Sequence, residues 1–397
     1  MEQLRIRSHA QVSRTTLNYH RDELKTYDWS LRLMGIKGAR GIGKTTLMLQ
    51  HIRQTLGLSE KAIYLSLDDI FFTENKLIDT ARSFYQQGCL FFFLDEVHKY
   101  PHWATEVKNL YDTYPDIRIV FTGSSILELT KANADLSRRA IMYHLQGLSF
   151  RQYLALAEGI SLPQIEFVDI LDHANEIISQ LPTDFRPYAY FRKYLENGYY
   201  PFFTEGENWF YDRLSATVRA VLETDLISLQ QVEVKNIRKL QQLLYVIASS
   251  PPFKPNIQQL SERTDISRNT LIHYLHYLEQ ADLISLLSAP GPGLSHLQKP
   301  EKIFIENTNL IYAFQPQNPN LGAIRETFVL NQLKTRHEVH TPSSGDFQVD
   351  GKYHLEVGGK NKGAKQLTGL PHSYVLADDL DFAVGNKIPV WLLGLLY

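Results

Sequence analysis

Three short stretches of this chain carry residue types suited to phosphate chemistry. The first is Gly38-Ala39-Arg40-Gly41-Ile42-Gly43-Lys44-Thr45-Thr46, which fits G-x-x-x-x-G-K-T in full. Its glycines permit tight turns whose backbone N–H groups cradle phosphate oxygens. Lys44 is placed to reach the terminal phosphates of a nucleotide, and Thr45 to set its hydroxyl on a magnesium ion. The second is the apolar run Leu90–Leu94 ending in Asp95-Glu96. Asp95, leaving a buried strand, would hold magnesium through water, and Glu96 would polarise a water for attack on a γ-phosphate. The third is Thr122-Gly123-Ser124-Ser125 after Ile117–Phe121, where Thr122 or Ser124 could place a hydroxyl between the γ-phosphate and the attacking water. Arg138-Arg139 adds guanidinium groups of the kind that stabilise charge in phosphoryl transfer. Each feature has a plainer alternative: a strand exit capped by acids, a simple turn, a solvated surface pair. The complete glycine loop upstream tips Asp95 and Glu96 toward chemistry. The cofactors this implies are ATP and Mg²⁺.

These residues need a scaffold. Apolar runs at Leu31–Ile36, Ala62–Leu67, Leu90–Leu94, Ile117–Phe121 and Ile141–Leu145 are rich in Ile, Val and Phe and are separated by helix-length polar segments. They read as parallel strands buried on both faces, with polar residues collecting at the carboxyl edge where ligands bind. Leu47, Leu49, Ile52 and Leu56 have helical spacing, so the glycine loop sits between strand and helix, as its chemistry requires. An amphipathic helix is expected within Arg14–Trp29. Residues 149–235 read as mostly helical, with Phe191, Tyr194, Tyr199, Tyr200, Phe202 and Phe203 as core.

Residues 237–305 read as a winged helix-turn-helix. The helices are Ile237–Ala248, Ile257–Glu262 and Asn269–Gln280, with Ser267 as an N-cap, and the wing strands are Leu283–Leu287 and Lys302–Ile305. The remainder reads as a small α/β unit: a helix over Gly322–Lys334, a hairpin of Phe347–Val349 and Tyr353–Val357 around Asp350-Gly351, and strands at Ser373–Leu376 and Val390–Leu396. The expected domains are 1–30, 31–155, 156–235, 236–305 and 306–397.

Composition narrows the function classes. The 397 residues are 44% hydrophobic and 21% charged, which excludes a mostly disordered chain. Lys plus Arg number 41 against 43 Asp plus Glu, so no global basic field exists and any nucleic-acid contact must be local. The single cysteine, Cys89, excludes internal disulfides and a cysteine zinc cluster. His98, His102 and Trp103 offer no third metal ligand. With no apolar leader at the N-terminus and no run of 18 apolar residues, a soluble cytoplasmic protein without membrane partners is expected.

The order of motifs carries a resemblance. The phosphate loop is followed by Phe-Leu-Asp-Glu-Val-His-Lys-Tyr-Pro-His-Trp (93–103), Phe-Thr-Gly-Ser-Ser (121–125), Leu-Ser-Arg-Arg (136–139) and Leu-Ser-Phe-Arg-Gln-Tyr-Leu (148–154). Together these resemble the prokaryotic AAA+-type P-loop ATPases with a C-terminal DUF4143 domain. The resemblance implies an AAA+/ASCE-like parallel sheet, with Arg139 matching the candidate arginine finger. It also implies a restriction-endonuclease-like C-terminal domain, onto which the acids carry over as Glu326, Asp346 and Glu356. That chemistry gathers acids around a divalent ion with a lysine to orient water. Here Gly358 stands at the lysine position and Lys360 is two residues on, which points to a degenerate domain that binds rather than cuts.

The expectation is a magnesium-dependent ATPase coupling hydrolysis to conformational change. Duplex DNA is one candidate partner, with Arg268, Asn269, His273 and His276 of the third helix entering the groove. Residues 236–300 hold six Lys or Arg against four Asp or Glu, a small excess for phosphate contacts. A protein-binding switch, an ATP-regulated nuclease and a nucleotide-binding structural protein are the competing readings. A homo-oligomer is open, since the arginine finger would act within the chain or between copies.

Overall fold

Five apolar runs form five parallel strands: β1 (Leu33–Lys37), β2 (Ala62–Ser66), β3 (Phe91–Asp95), β4 (Arg118–Gly123) and β5 (Ile141–His144), in the order β2-β3-β4-β1-β5. This order inserts β4 between the strand that leads into the glycine loop and the strand that ends in Asp95. The register sets Ile36 beside Thr122 and Leu94 beside Phe121, so the loop, Asp95 and Thr122 leave the sheet along one edge. Helices α1 (Glu2–Arg14), α2 (Lys44–His51), α3 (Leu77–Gln86) and α4 (Trp103–Thr113) belong to the same unit, Met1–Gly147. Its core, which includes Phe84, Phe92, Trp103 and Phe121, excludes water from the sheet, and Cys89 is buried within it.

The computed structural model describes the chain except residues 124–135, 137, 227–235, 251–255, 291–299 and 316. The N-terminal helix ends at Arg14, where an amphipathic helix was expected to begin. Only Glu23–Thr26 is helical in the segment that follows. The reason is that residues 15–21 lie along α2: Gln50 donates its amide to the carbonyls of Thr16 and Tyr19, and Arg53 to that of Thr15. Carbonyls of this strap thus serve the neighbouring helical segment instead of a helix of their own.

The second unit, Leu148–Tyr397, opens on α5 (Phe150–Ala157). Ser149 and Gln152 form a reciprocal capping box there. Next come short helices and α6 (Phe210–Ala220). Phe191 packs edge-on against Phe150 and Phe328, with ring centroids 5.2 and 4.9 Å apart, and Phe191, Tyr194, Tyr199 and Tyr200 are core, whereas Phe202 and Phe203, also expected there, are half-buried. Then α7 (Ile237–Ala248), α8 (Ile257–Thr264) and α9 (Arg268–Gln280) precede an antiparallel pair, β6 (Ile284–Leu287) and β7 (Lys302–Ile305). Ser267 caps α9 by accepting from the Thr270 N–H.

Helices α10 (Thr308–Phe314) and α11 (Leu321–Leu333) lead into a mixed sheet of order β12-β11-β10-β9-β8. Its strands are β8 (Val339–His340), β9 (Phe347–Val349), β10 (Tyr353–Gly358), β11 (Ser373–Ala377) and β12 (Lys387–Pro389). Asp350 and Gly351 both take positive φ, 51° and 66°, which the two-residue hairpin turn requires. The expected strand at Val390–Leu396 is instead a buried 3₁₀ helix, Val390–Leu395. A short, wholly apolar run carries no period that separates the two. Among the described residues, no helix is long and apolar enough to cross a membrane.

Asn309 is fully buried and serves three backbone groups: it accepts from Tyr199 N–H at 2.8 Å and donates to the carbonyls of Tyr194 and Leu195. Asn309→Ala removes all three bonds and is expected to lower the unfolding free energy by about 2–3 kcal/mol, read from the urea midpoint.

Candidate functional site

The glycine loop is built by exclusion. A Cβ at Gly38 would lie 2.2 Å from the Leu145 carbonyl oxygen, and Gly43, with φ 95°, turns the chain into α2. No other residue fits the first position, and a side chain at the second would be strained. Ile42 is fully buried and anchors the loop. Ala39 is buried, Arg40 half-buried, and Gly41 and Thr46 are exposed. Lys44 is 4% exposed, with its ammonium donating to the carbonyls of Gly38 and Ala39 at 2.9 and 2.8 Å. The loop therefore holds a desolvated cation beneath turns that hold Cβ atoms out, a cradle suited to phosphate.

Asp95, 3% exposed, accepts three hydroxyl groups. Thr45 Oγ1 and Tyr64 OH both donate to its Oδ2 at 2.8 Å, and Thr122 Oγ1 donates to its Oδ1. A hydroxyl and a carboxylate side by side are oxygen donors of the hardness Mg²⁺ prefers. The donor set thus fits a magnesium nucleotide, with Thr45 and Asp95 as the residues to hold the ion. Thr122 also accepts the Glu96 N–H at 3.3 Å, so its hydroxyl ties the two acids together rather than standing free above the edge.

Glu96 has a left-handed backbone, φ 52°, which is uncommon outside glycine and concentrated where geometry matters to function. The Thr122 contact helps to hold it there. Its carboxylate lies 3.5 Å from Nε2 of His98, whose side chain is 3% exposed. Burial, with the positive charges of Lys99, Lys44 and Arg40, lowers the His98 imidazole to about 3. His98 is therefore neutral near pH 7, and its contact with Glu96 is not an ion pair.

Sequence reasoning missed two residues. Tyr64 is one. The other is Arg21, 6% exposed, which donates to the carbonyls of Ile42 and Gly147 at 3.2 Å each and pairs with Glu23 at 2.9 Å, clamping the loop from behind. Neither sits in a recognisable pattern. The only signal for Tyr64 was a tyrosine three residues before the end of an expected strand.

Arg139 lies just before β5, whose start pairs with the start of β1, and its guanidinium forms a two-pronged pair with Asp112 at 2.9 Å near the end of α4. That is the amino edge of the sheet, while the loop leaves the carboxyl edge after Lys37. Ser124 lies outside the described residues.

In the second unit, Arg268, Asn269 and His273 are exposed along α9, whereas His276 is half-buried and faces Glu279 at 3.6 Å. The three acids taken as a nuclease-like set do gather, but with two lysines. Lys302 lies 3.4 Å from Glu326 and 3.6 Å from Asp346, and Lys362 lies 2.5 Å from the buried Glu356. Lys360 is exposed and takes no part, because the extended chain ends at Gly358 and the alternation of faces ends with it. Among the described residues, no group of three or more His, Cys, Asp or Glu is placed to hold a metal ion.

With this geometry in place, comparison with known proteins gives two family matches. Residues 30–154 match the AAA domain, and residues 188–321 match a domain of unknown function, DUF8612. The chain therefore carries an N-terminal AAA domain and a distinct second domain. The expectation of DUF4143 is corrected: the family matched is DUF8612.

Two uncharacterized proteins of Methanocaldococcus jannaschii are related. One, MJ1637, is 27% identical over 68% of this chain and 60% of its own length; the other, MJ1544, is 26% identical over 76% and 66%. The chain thus spans less than two thirds of either relative. Among solved structures, AMPPCP-bound DnaA from Aquifex aeolicus is 14% identical over 65% of this chain and 85% of its own, with a TM-score of 0.27. A structure reporting katanin self-assembly is 16% identical over 42% and 58%, with a TM-score of 0.25. Neither likeness is strong enough to extend the assignment.

Burial and the neighbouring Asp346 carboxylate raise Glu326 from 4.5 to about 7. The folded chain then holds a proton between those values that the unfolded chain has released. Stability is full below about pH 4.5 and falls as pH rises toward 7. Glu326→Gln is expected to remove about 1–3 kcal/mol of that fall, measured by urea unfolding at pH 5 and 7.5.

Proposed function

We propose that this protein is a magnesium-dependent ATPase that converts hydrolysis into a conformational change acting on duplex DNA. The convergence of Thr45 and Thr122 on Asp95, beside a buried Lys44 in a glycine cradle, carries the first half of this reading. Lys44 exchanges the Gly38 and Ala39 carbonyls for phosphate oxygens. Glu96 orients a water in line with the γ-phosphorus and takes its proton as the new P–O bond forms and the β–γ bridging bond breaks, leaving ADP and phosphate. Thr122 keeps Glu96 and Asp95 in fixed relation through this step. A magnesium ion, held by Thr45 and Asp95, supplies charge neutralisation on the phosphates when bound. An arginine finger, if Arg139 serves as one, comes from a second copy of the chain.

The partner half rests on α7–α9 with the β6–β7 pair, which we read as a winged helix-turn-helix. Arg268, Asn269 and His273 are exposed on its third helix, the face such a module lays into a major groove. The sheet that follows is read as a nuclease-like fold that does not cut, because Lys302 and Lys362 neutralise its acids. The domain divisions at 30, 155, 235 and 305 remain our reading.

The test is steady-state ATP hydrolysis with Mg²⁺, with and without duplex DNA. Glu96→Gln is expected to lower kcat about 100-fold or more while ATP still binds. Arg268→Ala is expected to weaken binding to a preferred duplex by about 1–3 kcal/mol and to relax sequence preference, read from binding to duplexes of different sequence. Hydrolysis indifferent to DNA would replace DNA with a protein partner. Absence of hydrolysis with ATP bound would leave a nucleotide-gated switch.

A further inference from the structure

Tyr64 has no role in any motif of the sequence, yet its phenol ends on the carboxylate at the centre of the site. Its strand pairing explains how. Tyr64 pairs with Phe93, so its side chain shares a face with that of Asp95, two residues further along β3. A ring of that length reaches the carboxyl edge and sets its hydroxyl 2.8 Å from Asp95 Oδ2. The other two donors have further duties. Thr45 must offer its oxygen to the ion, and Thr122 lies on Oδ1 and also receives the Glu96 N–H. Tyr64 is the donor on Oδ2 that belongs to neither the loop nor the strand after the acids.

The strand that carries it is also held from outside. β2 is an edge strand, and the N-terminal helix lies against it. Ser8 Oγ accepts the Tyr64 N–H at 2.9 Å, and Arg5 donates to the carbonyls of Glu60 and Ala62. Arg7 pairs with Asp69 at 2.5 Å just past the strand's end.

We propose that Tyr64 is a positioning residue that fixes the Asp95 carboxylate for a nucleotide-bound divalent ion, with α1 holding Tyr64 in register. This rests on the ATPase reading above. Groups that orient a ligand set are commonly worth tenfold or more in metal affinity.

The probe is Mn²⁺ in the presence of ADP, followed by the electron paramagnetic resonance signal of free Mn²⁺, beside ADP affinity measured in EDTA. Tyr64→Phe is expected to weaken Mn²⁺ binding roughly tenfold and leave metal-free ADP affinity within about twofold. Unchanged Mn²⁺ affinity in Y64F, with the wild type binding normally, overturns the proposal. A wild type that takes no Mn²⁺–ADP overturns the ATPase reading itself, which keeps the two failures apart. If Y64F does not fold, 4-aminophenylalanine and 4-methylphenylalanine at position 64 decide, because both fill the hydroxyl's space and only the first donates. Equal Mn²⁺ affinity in those two sinks the idea; retention by the amino form alone supports it.

Discussion

A carboxylate only 3% exposed must be supplied with donors or lose its charge, and in this protein the carboxylate is Asp95. Its donors come from three places in the chain: Thr45 at the start of the loop helix, Tyr64 on β2 and Thr122 on β4. No two are closer than 19 positions in sequence. Satisfying them at once fixes the register of three strands and the height of the glycine loop above the sheet. A slip of one residue in β2 would turn Tyr64 to the opposite face. The strand order that interposes β4 is thus the arrangement under which one buried acid is fully served.

The second unit handles buried charge differently. Glu306 is 3% exposed and meets Lys334 and the Ser285 hydroxyl, with burial raising its carboxyl and the ammonium opposing that shift. Lys302 spans Glu326 and Asp346, and Lys362 meets Glu356. Three lysines thus meet four acids, with Lys302 shared by two. Such pairs contribute little net stability, because desolvation offsets attraction, yet breaking one is costly. They act as keys that discriminate one packing from its neighbours, and they leave little uncompensated charge to draw in a cation.

Much of this was legible in advance, for physical reasons. Apolar runs such as Leu90–Leu94, recurring between helix-length polar segments, read as inner parallel strands, and a loop containing Gly38 and Gly43 has few ways to turn. The three helices and antiparallel pair over 237–305 were legible because apolar spacing marks them and Ser267 caps α9. What escaped depends on tertiary closure. Tyr64 and Arg21 act on partners more than 20 residues away and sit in no local pattern. Lys362 rather than Lys360 meets Glu356 because the strand stops at Gly358, which alternation cannot foresee. Arg139 matched a motif in order along the chain, but order does not reveal edge until the direction of β5 is followed.

Ser149, which caps the first helix of the second unit, also donates its hydroxyl to the carbonyl of Tyr397, and Ile165 N–H reaches the Leu395 carbonyl at 2.9 Å. At Gly394 a Cβ would stand 2.4 Å from that of Phe150, so the two segments meet backbone to ring. During synthesis the first unit has all its strands once residue 147 has emerged. The second cannot seat its opening helix against Gly394 until residues nearly 250 positions later have been made, a long window in which that aromatic surface is open to a chaperone.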